Sequence, residues 1–332
     1  MKKRLLLVVS CLLAVLTSFG QYVPNNSQAF QFMSLYNPGF SGVENFEDMK
    51  LSYRYQWAGF GEYSPKFVNL AFHTRLKKPL DLAYNSIRMS DFSGTSNERV
   101  PKGKRMIHGL GVNLFQSKVG VVSSIGGAIN YAVNYPLSGK SRLALGASAL
   151  VENRELDVSE VTVRDPDEFY DYLLRSSTSQ TDLNVRVGLL LYQEKFYFGV
   201  SYLPLVNIAL QSSDLAMEEP FYRGSFQVGY SLPLNRDVTL KPSVVGLVQM
   251  NNDLVIDYNL KAYVQNKVWL GLSYRDIESG VAILGFNINN KFTVAYSFEL
   301  SLGEFRKFDD GSHELVLAAR LNNLKRFSQY IW

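Results

Sequence analysis

Ser312, His313 and Glu314 are the one place in this chain of 332 residues where a hydroxyl, an imidazole and a carboxylate stand side by side. Those groups suit acyl hydrolysis, as in a lipase on the outer wall of a barrel, provided that all three converge on one point. The surrounding residues alternate as a strand does, and neighbours on a strand point to opposite faces. The trio therefore does not form a triad. The other histidines, His73 and His108, have no comparable neighbours, and His108 and His313 fall near predicted strand starts. Asp165, Asp167, Glu168 and Asp171, interleaved with Phe169, Tyr170 and Tyr172, read either as a calcium or protein-binding patch or as a solvated loop with an aromatic anchor. Their spacing does not fit a twelve-residue calcium loop. Gly109 and Gly111 alternate along a strand and make no phosphate loop. Cysteine chemistry is excluded beyond the first twenty residues, since Cys11 is the only cysteine. No catalytic, cofactor or metal constellation is expected, and the chain reads as a non-enzyme.

The elements that would position these residues repeat at short intervals. Leu254, Ile256, Tyr258, Leu260, Ala262 and Val264 interleave with Asp253, Val255, Asp257, Asn259, Lys261 and Tyr263. Leu183, Val185, Val187, Leu189 and Leu191 alternate in the same way with Asp182, Asn184, Arg186 and Gly188. Period-two alternation is the mark of a strand with one apolar and one polar face. Fourteen such segments are predicted, near 49–57, 66–75, 106–116, 121–135, 141–153, 182–193, 195–203, 221–232, 237–249, 252–264, 267–276, 279–288, 291–300 and 312–322. An even number of antiparallel strands with an outward apolar face describes a transmembrane β-barrel. A soluble sandwich or propeller also alternates, with its apolar face buried. The export signal, the strand lengths, 20 tyrosines and 21 phenylalanines favour the barrel.

Lys2, Lys3 and Arg4, followed by the apolar run from Leu5 to Leu16 and the small-residue exit before Gln21, read as an export signal over 1–20. That run is too short for a helical span of about 20 residues. Removing 1–20 lowers the formal charge from +4 to +1, and no clustered Lys and Arg mark a nucleic-acid partner. The organisation expected is a signal (1–20), a periplasmic or plug-like segment (21–45), the barrel (46–322) and a tail or closing-strand end (323–332).

Burial energetics assign the faces. A Lys or Arg facing lipid at mid-membrane costs about 2–4 kcal/mol. Arg54, Arg186, Arg223, Lys241, Lys261, Arg275 and Arg320 should therefore face the lumen. Arg54 on the first strand could pair with Glu314 on the last, across the closing seam. Counted from a periplasmic N-terminus, the short connections fall at the periplasm and the long ones, 154–181, 204–220 and 301–311, at the surface. The basic stretch 76–105, with Arg75 at its edge, is long yet falls at the periplasm, so either a strand is miscounted or this loop has a periplasmic partner. Asn37-Pro38-Gly39 is a turn signal that would steer the N-terminal segment towards the lumen, and Trp57 reads as a residue of the interfacial aromatic girdle.

Short motifs in order along the chain resemble the PorP/SprF family. They are Asn37-Pro38-Gly39 within Phe30–Gly42, Tyr53-Arg54-Tyr55-Gln56-Trp57, Gly109-Leu110-Gly111-Val112, Tyr131-Ala132, Asp165-Pro166 with Phe169, Phe196–Ser201, Leu240–Ser243, Trp269-Leu270-Gly271 with Tyr274-Arg275, and Ser312-His313-Glu314-Leu315. The chain departs from the family pattern at Gly39, where alanine is usual, and in running on to Trp332. The resemblance implies an outer-membrane barrel of the type IX secretion and gliding machinery of Bacteroidota. It implies partners as well: a secreted cargo or surface adhesin, the periplasmic ring, peptidoglycan-linked lipoproteins and outer-membrane lipid. A diffusion channel or uptake barrel is the alternative.

Overall fold

The computed structural model of the chain describes residues 26–76, 106–138, 141–158, 168–176, 178–213, 222–249, 253–265, 267–276 and 279–322. The alternating segments become strands β1 (Glu47–Tyr55), β2 (Lys66–Arg75), β3 (Ile107–Val119), β4 (Val122–Ser138), β5 (Ser141–Leu156), β6 (Ser179–Gln193) and β7 (Phe196–Gln211). They continue as β8 (Gly224–Tyr230), β9 (Leu232–Pro233), β10 (Val238–Val248), β11 (Leu254–Val264), β12 (Val268–Arg275), β13 (Ser279–Asn287), β14 (Phe292–Ser301) and β15 (Ser312–Leu321). Consecutive strands pair antiparallel, and β1 pairs with β15, so the sheet closes on itself. β8 and β9 are two pieces of one wall strand, both paired to β10. They are separated at Ser231, whose N–H turns back to the Lys195 carbonyl at 2.7 Å. The wall therefore has the fourteen strands expected. Closure is what lipid demands, because an open edge in hydrocarbon leaves backbone groups unpaired.

The alternation resolves as the lipid argument requires. Along β11, Val255, Asp257, Asn259, Lys261 and Tyr263 are buried inside, while Leu254, Tyr258, Leu260 and Val264 are exposed outside. Arg54, Arg186, Lys261, Arg275 and Arg320 are buried in the lumen, Lys241 is half-buried over the Tyr263 ring, and Arg223 is half-buried at the bend before β8. Among the described residues, no helix is long and apolar enough to cross a membrane; the crossing is made by strands.

The two ends differ. At one, the turn end, β1 begins, β15 finishes and the connections 139–140, 194–195, 234–237, 265–267 and 288–291 are short. At the other, the loop end, lie 56–65, 157–178, 212–223 and 302–311. With the strand count intact, the connection 76–106 does belong to the turn end. Arg75, at the edge of that basic stretch, is the last residue of β2, as the predicted strand 66–75 has it, and points inward. Residues 1–25, 77–105 and 323–332 lie outside the described residues, and with them the export signal, most of the basic stretch and the C-terminal tail. Asp165 and Pro166 lie outside them too, as does the side chain of Phe169.

Candidate functional site

The lumen is filled by the chain's own N-terminal segment. Residues 26–46 are buried at almost every position, and they pass through three short turns, Ala29–Gln31, Met33–Tyr36 and Pro38–Phe40, before entering β1. Turns this short leave many backbone carbonyls unpaired, and buried carbonyls need partners. The wall supplies them from several strands. Lys50 Nζ donates to the Gln31 carbonyl at 2.7 Å. Asn113 and Asn130 donate to that of Ser34 at 3.2 and 3.1 Å. Arg186 and Tyr222 donate to that of Leu35. Ser201 and Ser225 donate to that of Tyr36 at 2.7 and 3.2 Å. Arg75 donates to the carbonyls of Gly42 and Val43 at 2.8 and 2.6 Å.

Asn37 is the pivot of this plug. Its Oδ1 accepts the Gly39 N–H at 2.9 Å, capping the turn that Pro38 starts. Its Nδ2 lies within 3.1–3.2 Å of the Leu189 and Val200 carbonyls and Gln227 Oε1, tying β6, β7 and β8 to the turn. The turn can lie against the wall only because the wall lacks side chains there. A Cβ on Gly188 would fall 2.0 Å from Asn37 Oδ1, and one on Gly146 would fall 2.4 Å from the Gly39 nitrogen. A Cβ on Gly109 would meet the Ser41 carbonyl in the same way. Asn37, Pro38 and Gly39, singled out from sequence, are thus brought together with wall glycines that the sequence offered only as strand positions.

Aromatic packing seals the rest. Phe30 meets Trp269 edge-on at 6.0 Å, Phe40 meets Tyr197 at 5.7 Å, and Lys261 Nζ sits 4.0 Å above the Phe30 ring. Trp269 is only 1 % exposed and faces the lumen; Gly271 beside it faces the same way, against Ile283. Sequence reasoning did not place Trp269, Tyr192 or Tyr197 inside, although each occupies an inward position of its strand.

At the loop end the plug begins in a buried charge network. Glu299 accepts from Arg54 at 3.0 Å and Arg275 at 3.3 Å, and Arg275 also grips Asp257 at 2.6 Å. Ser27 Oγ donates to Glu299 at 2.5 Å, and Arg275 donates to the Asn26 carbonyl at 3.2 Å. Arg54 and Glu314 do stand opposite in the β1–β15 register. Glu314 accepts the Gln28 N–H at 3.0 Å, and Arg54 also donates to Glu299 on β14 at 3.0 Å.

Of the Ser312–Glu314 trio and the Tyr53–Trp57 motif, only Arg54 and Glu314 reach this network. Ser312 and Glu314 face inward whereas His313 faces outward against Tyr296 Oη at 2.6 Å, so no triad forms there. Tyr53 points outward, Gln56 is buried, and Trp57 is half-buried in a loop-end turn, where its N–H donates to Ser312 Oγ at 3.1 Å. Among the described residues, no group of three or more His, Cys, Asp or Glu is placed to hold a metal ion.

Residues 18–319 match the model of a family described as the type IX secretion system membrane protein PorP/SprF. No curated protein matches the sequence. Among solved structures, the chain is similar to the outer membrane protein Omp33 of Acinetobacter baumannii, with 11 % identity over 84 % of this chain and 100 % of that one, at a TM-score of 0.45. It is similar to the toluene transporter TodX of P. putida, with 8 % identity over 87 % and 93 % of the two chains and a TM-score of 0.47. It is similar to outer membrane phospholipase A from Escherichia coli, with 11 % identity over 83 % and 94 % and a TM-score of 0.36. Likeness at these values carries no argument about activity.

Proposed function

The chain belongs to the PorP/SprF family of type IX secretion system membrane proteins, and from that premise we propose that it works without enzymatic chemistry, as a plugged outer-membrane barrel acting through protein contacts. Its loop end faces outward and helps to export or hold a secreted, adhesin-type cargo. Its turn end faces the periplasm, where the basic connection 76–106 meets ring or lipoprotein partners of the secretion and gliding machinery. The observation that supports this reading is the filled lumen. A diffusion channel needs a continuous wet path, whereas here the carbonyls of Gln31, Ser34, Leu35, Tyr36, Gly42 and Val43 are bonded to the wall. Inward charges of both signs would suit a pore, but here they brace the plug.

The test is purification from native outer membranes under gentle detergent, with identification of what accompanies the barrel. A large surface protein or type IX ring components should co-purify in fixed ratio. A lone barrel that conducts ions steadily in planar bilayers would overturn the proposal in favour of the channel.

A further inference from the structure

The hydrogen-bond ladder between β8–β9 and β10 is interrupted near the turn end. Ser243 pairs with Gly229 and Leu240 with Leu232, which puts Pro242 opposite Tyr230 and Lys241 opposite Ser231. Pro242 has no N–H to give to the ladder, and the Ser231 N–H goes to the Lys195 carbonyl of the β6–β7 turn instead. A crevice opens at this break, with Tyr197, Ser231 and Ser243 among its walls. It holds about 10 Å³, room for a single water-sized oxygen. Three lysines line it from three elements: Lys195 from the turn, Lys241 from β10 and Lys261 from β11. Lys241 and Lys261 stand directly opposite in the β10–β11 register, and like charges so placed destabilise a sheet. Against the three lysines stand Glu44 of the plug, which acts on Lys241, and Glu194 beside Lys195. The balance at the crevice is positive.

On the lipid face the crevice meets a shallow groove of about 530 Å³, and the two share Tyr230, Pro242 and Ser243. That volume lies within the ~300–1,000 Å³ of small-molecule sites. Val228, Val244, Leu260 and Leu272 line it with outward apolar side chains. Tyr230 marks its limit towards the turn end, while Tyr258 and Tyr274, stacked at 6.5 Å, stand towards the loop end. Outward tyrosines at the two levels are girdle residues, so the groove runs through the hydrocarbon between them. The turn-end connections beside the crevice, 194–195 and 234–237, are both described, and Lys195 is exposed among them. A site that is apolar along the depth of the membrane and cationic at its edge complements an anionic amphiphile.

We propose that the groove and the crevice together bind one anionic phospholipid from the leaflet at the turn end. An acyl chain lies along Val244, Leu260 and Leu272. The phosphate sits at Lys195, with one oxygen turned into the crevice towards Lys241 and Lys261, where charge-assisted hydrogen bonds hold it. The inference rests on the turn end facing the periplasm, as proposed above, but not on the machine to which the barrel belongs.

Native mass spectrometry of the refolded protein in detergent tests it, with phosphatidylglycerol and zwitterionic phosphatidylethanolamine as the probes. The parent should retain phosphatidylglycerol about tenfold more tightly, the effect of one charge-assisted hydrogen bond. Lys195→Gln, at an exposed turn, should remove most of that preference. Val244→Trp, which fills the groove from an outward position, should weaken retention of both lipids. The heat-shift transition on gels should stay at the parent's temperature in both variants, showing the barrel intact. Equal retention of the two lipids by the parent, unchanged in Lys195→Gln, would mean annular lipid only and overturns the proposal. Release of the lipid by inorganic phosphate would mean a site for a free anion, and overturns it too. So would an intact Val244→Trp barrel that keeps phosphatidylglycerol as tightly as the parent. Selective lipid retention by a barrel that co-purifies with no secretion partner would support this site while counting against the function proposed above.

Discussion

Replacing Gly188 with alanine tests the seat of the plug directly. The added Cβ would fall 2.0 Å from Asn37 Oδ1 and 2.9 Å from Pro38 Cδ, neither of which is a tolerable contact. If the wall yields, the cost is that of overpacking, about 1–3 kcal/mol. If Asn37 yields, its cap on Gly39 and its two amide protons, shared among three acceptors on β6, β7 and β8, are lost as well. Three such bonds are worth about 1 kcal/mol each, bringing the total to about 6 kcal/mol. At ~1.4 kcal/mol per decade, the docked-to-released ratio of the plug should fall by between about fivefold and twenty-thousandfold. The assay is single-channel recording in planar bilayers, where the parent protein should be silent and Gly188→Ala should flicker between silent and conducting states. Removing the obstructing side chain with Asn37→Gly in the same protein should recover part of the lost docking, since the Cβ then has room. A silent Gly188→Ala barrel whose band shifts on heating at the parent's temperature would refute the reasoning.

Glu299→Gln should lower the heat-shift transition of the folded barrel strongly, because it leaves the guanidiniums of Arg54 and Arg275 short of charge in the lumen; breaking a buried pair costs about 3–5 kcal/mol. Glu314→Gln keeps an acceptor for the Gln28 N–H and should shift the same transition far less; equal shifts would contradict the assigned network. Deleting residues 26–42 should leave a folded barrel that conducts, and should expose Trp269 to iodide quenching that the parent resists; unchanged quenching would mean that the plug does not shield it. Lys substituted for outward-facing Leu272 should impair insertion into lipid by about 2–4 kcal/mol, whereas Lys at exposed Glu168 should leave insertion unchanged, as refolding yields into vesicles would report.

Much of this architecture is legible in the chain itself. The period-two alternation gives the strands, and the cost of charge in lipid gives their orientation, so Asp182, Arg186, Asp257, Arg275 and Glu299 could be placed inside before any coordinates. The ends of strands were less legible. β7 continues from the expected 203 to Gln211 because pairing with β6, not local propensity, sustains it.

By itself the sequence determined that a closed antiparallel barrel would form, since lipid accepts one face of each strand and tolerates no open edge. Only the tertiary structure decided what fills it. Nothing local in Asn37-Pro38-Gly39 tells that its amide will bridge three strands more than 150 residues away. Nothing local in Gly146 and Gly188 tells that they clear space for that turn. Those are contacts between segments whose partners are chosen by closure, and the same closure brings Arg54, opposite Glu314 in register, to Glu299 of β14 as well. A strand's pattern fixes which way each side chain points; which groups it meets in the middle depends on the whole ring being shut.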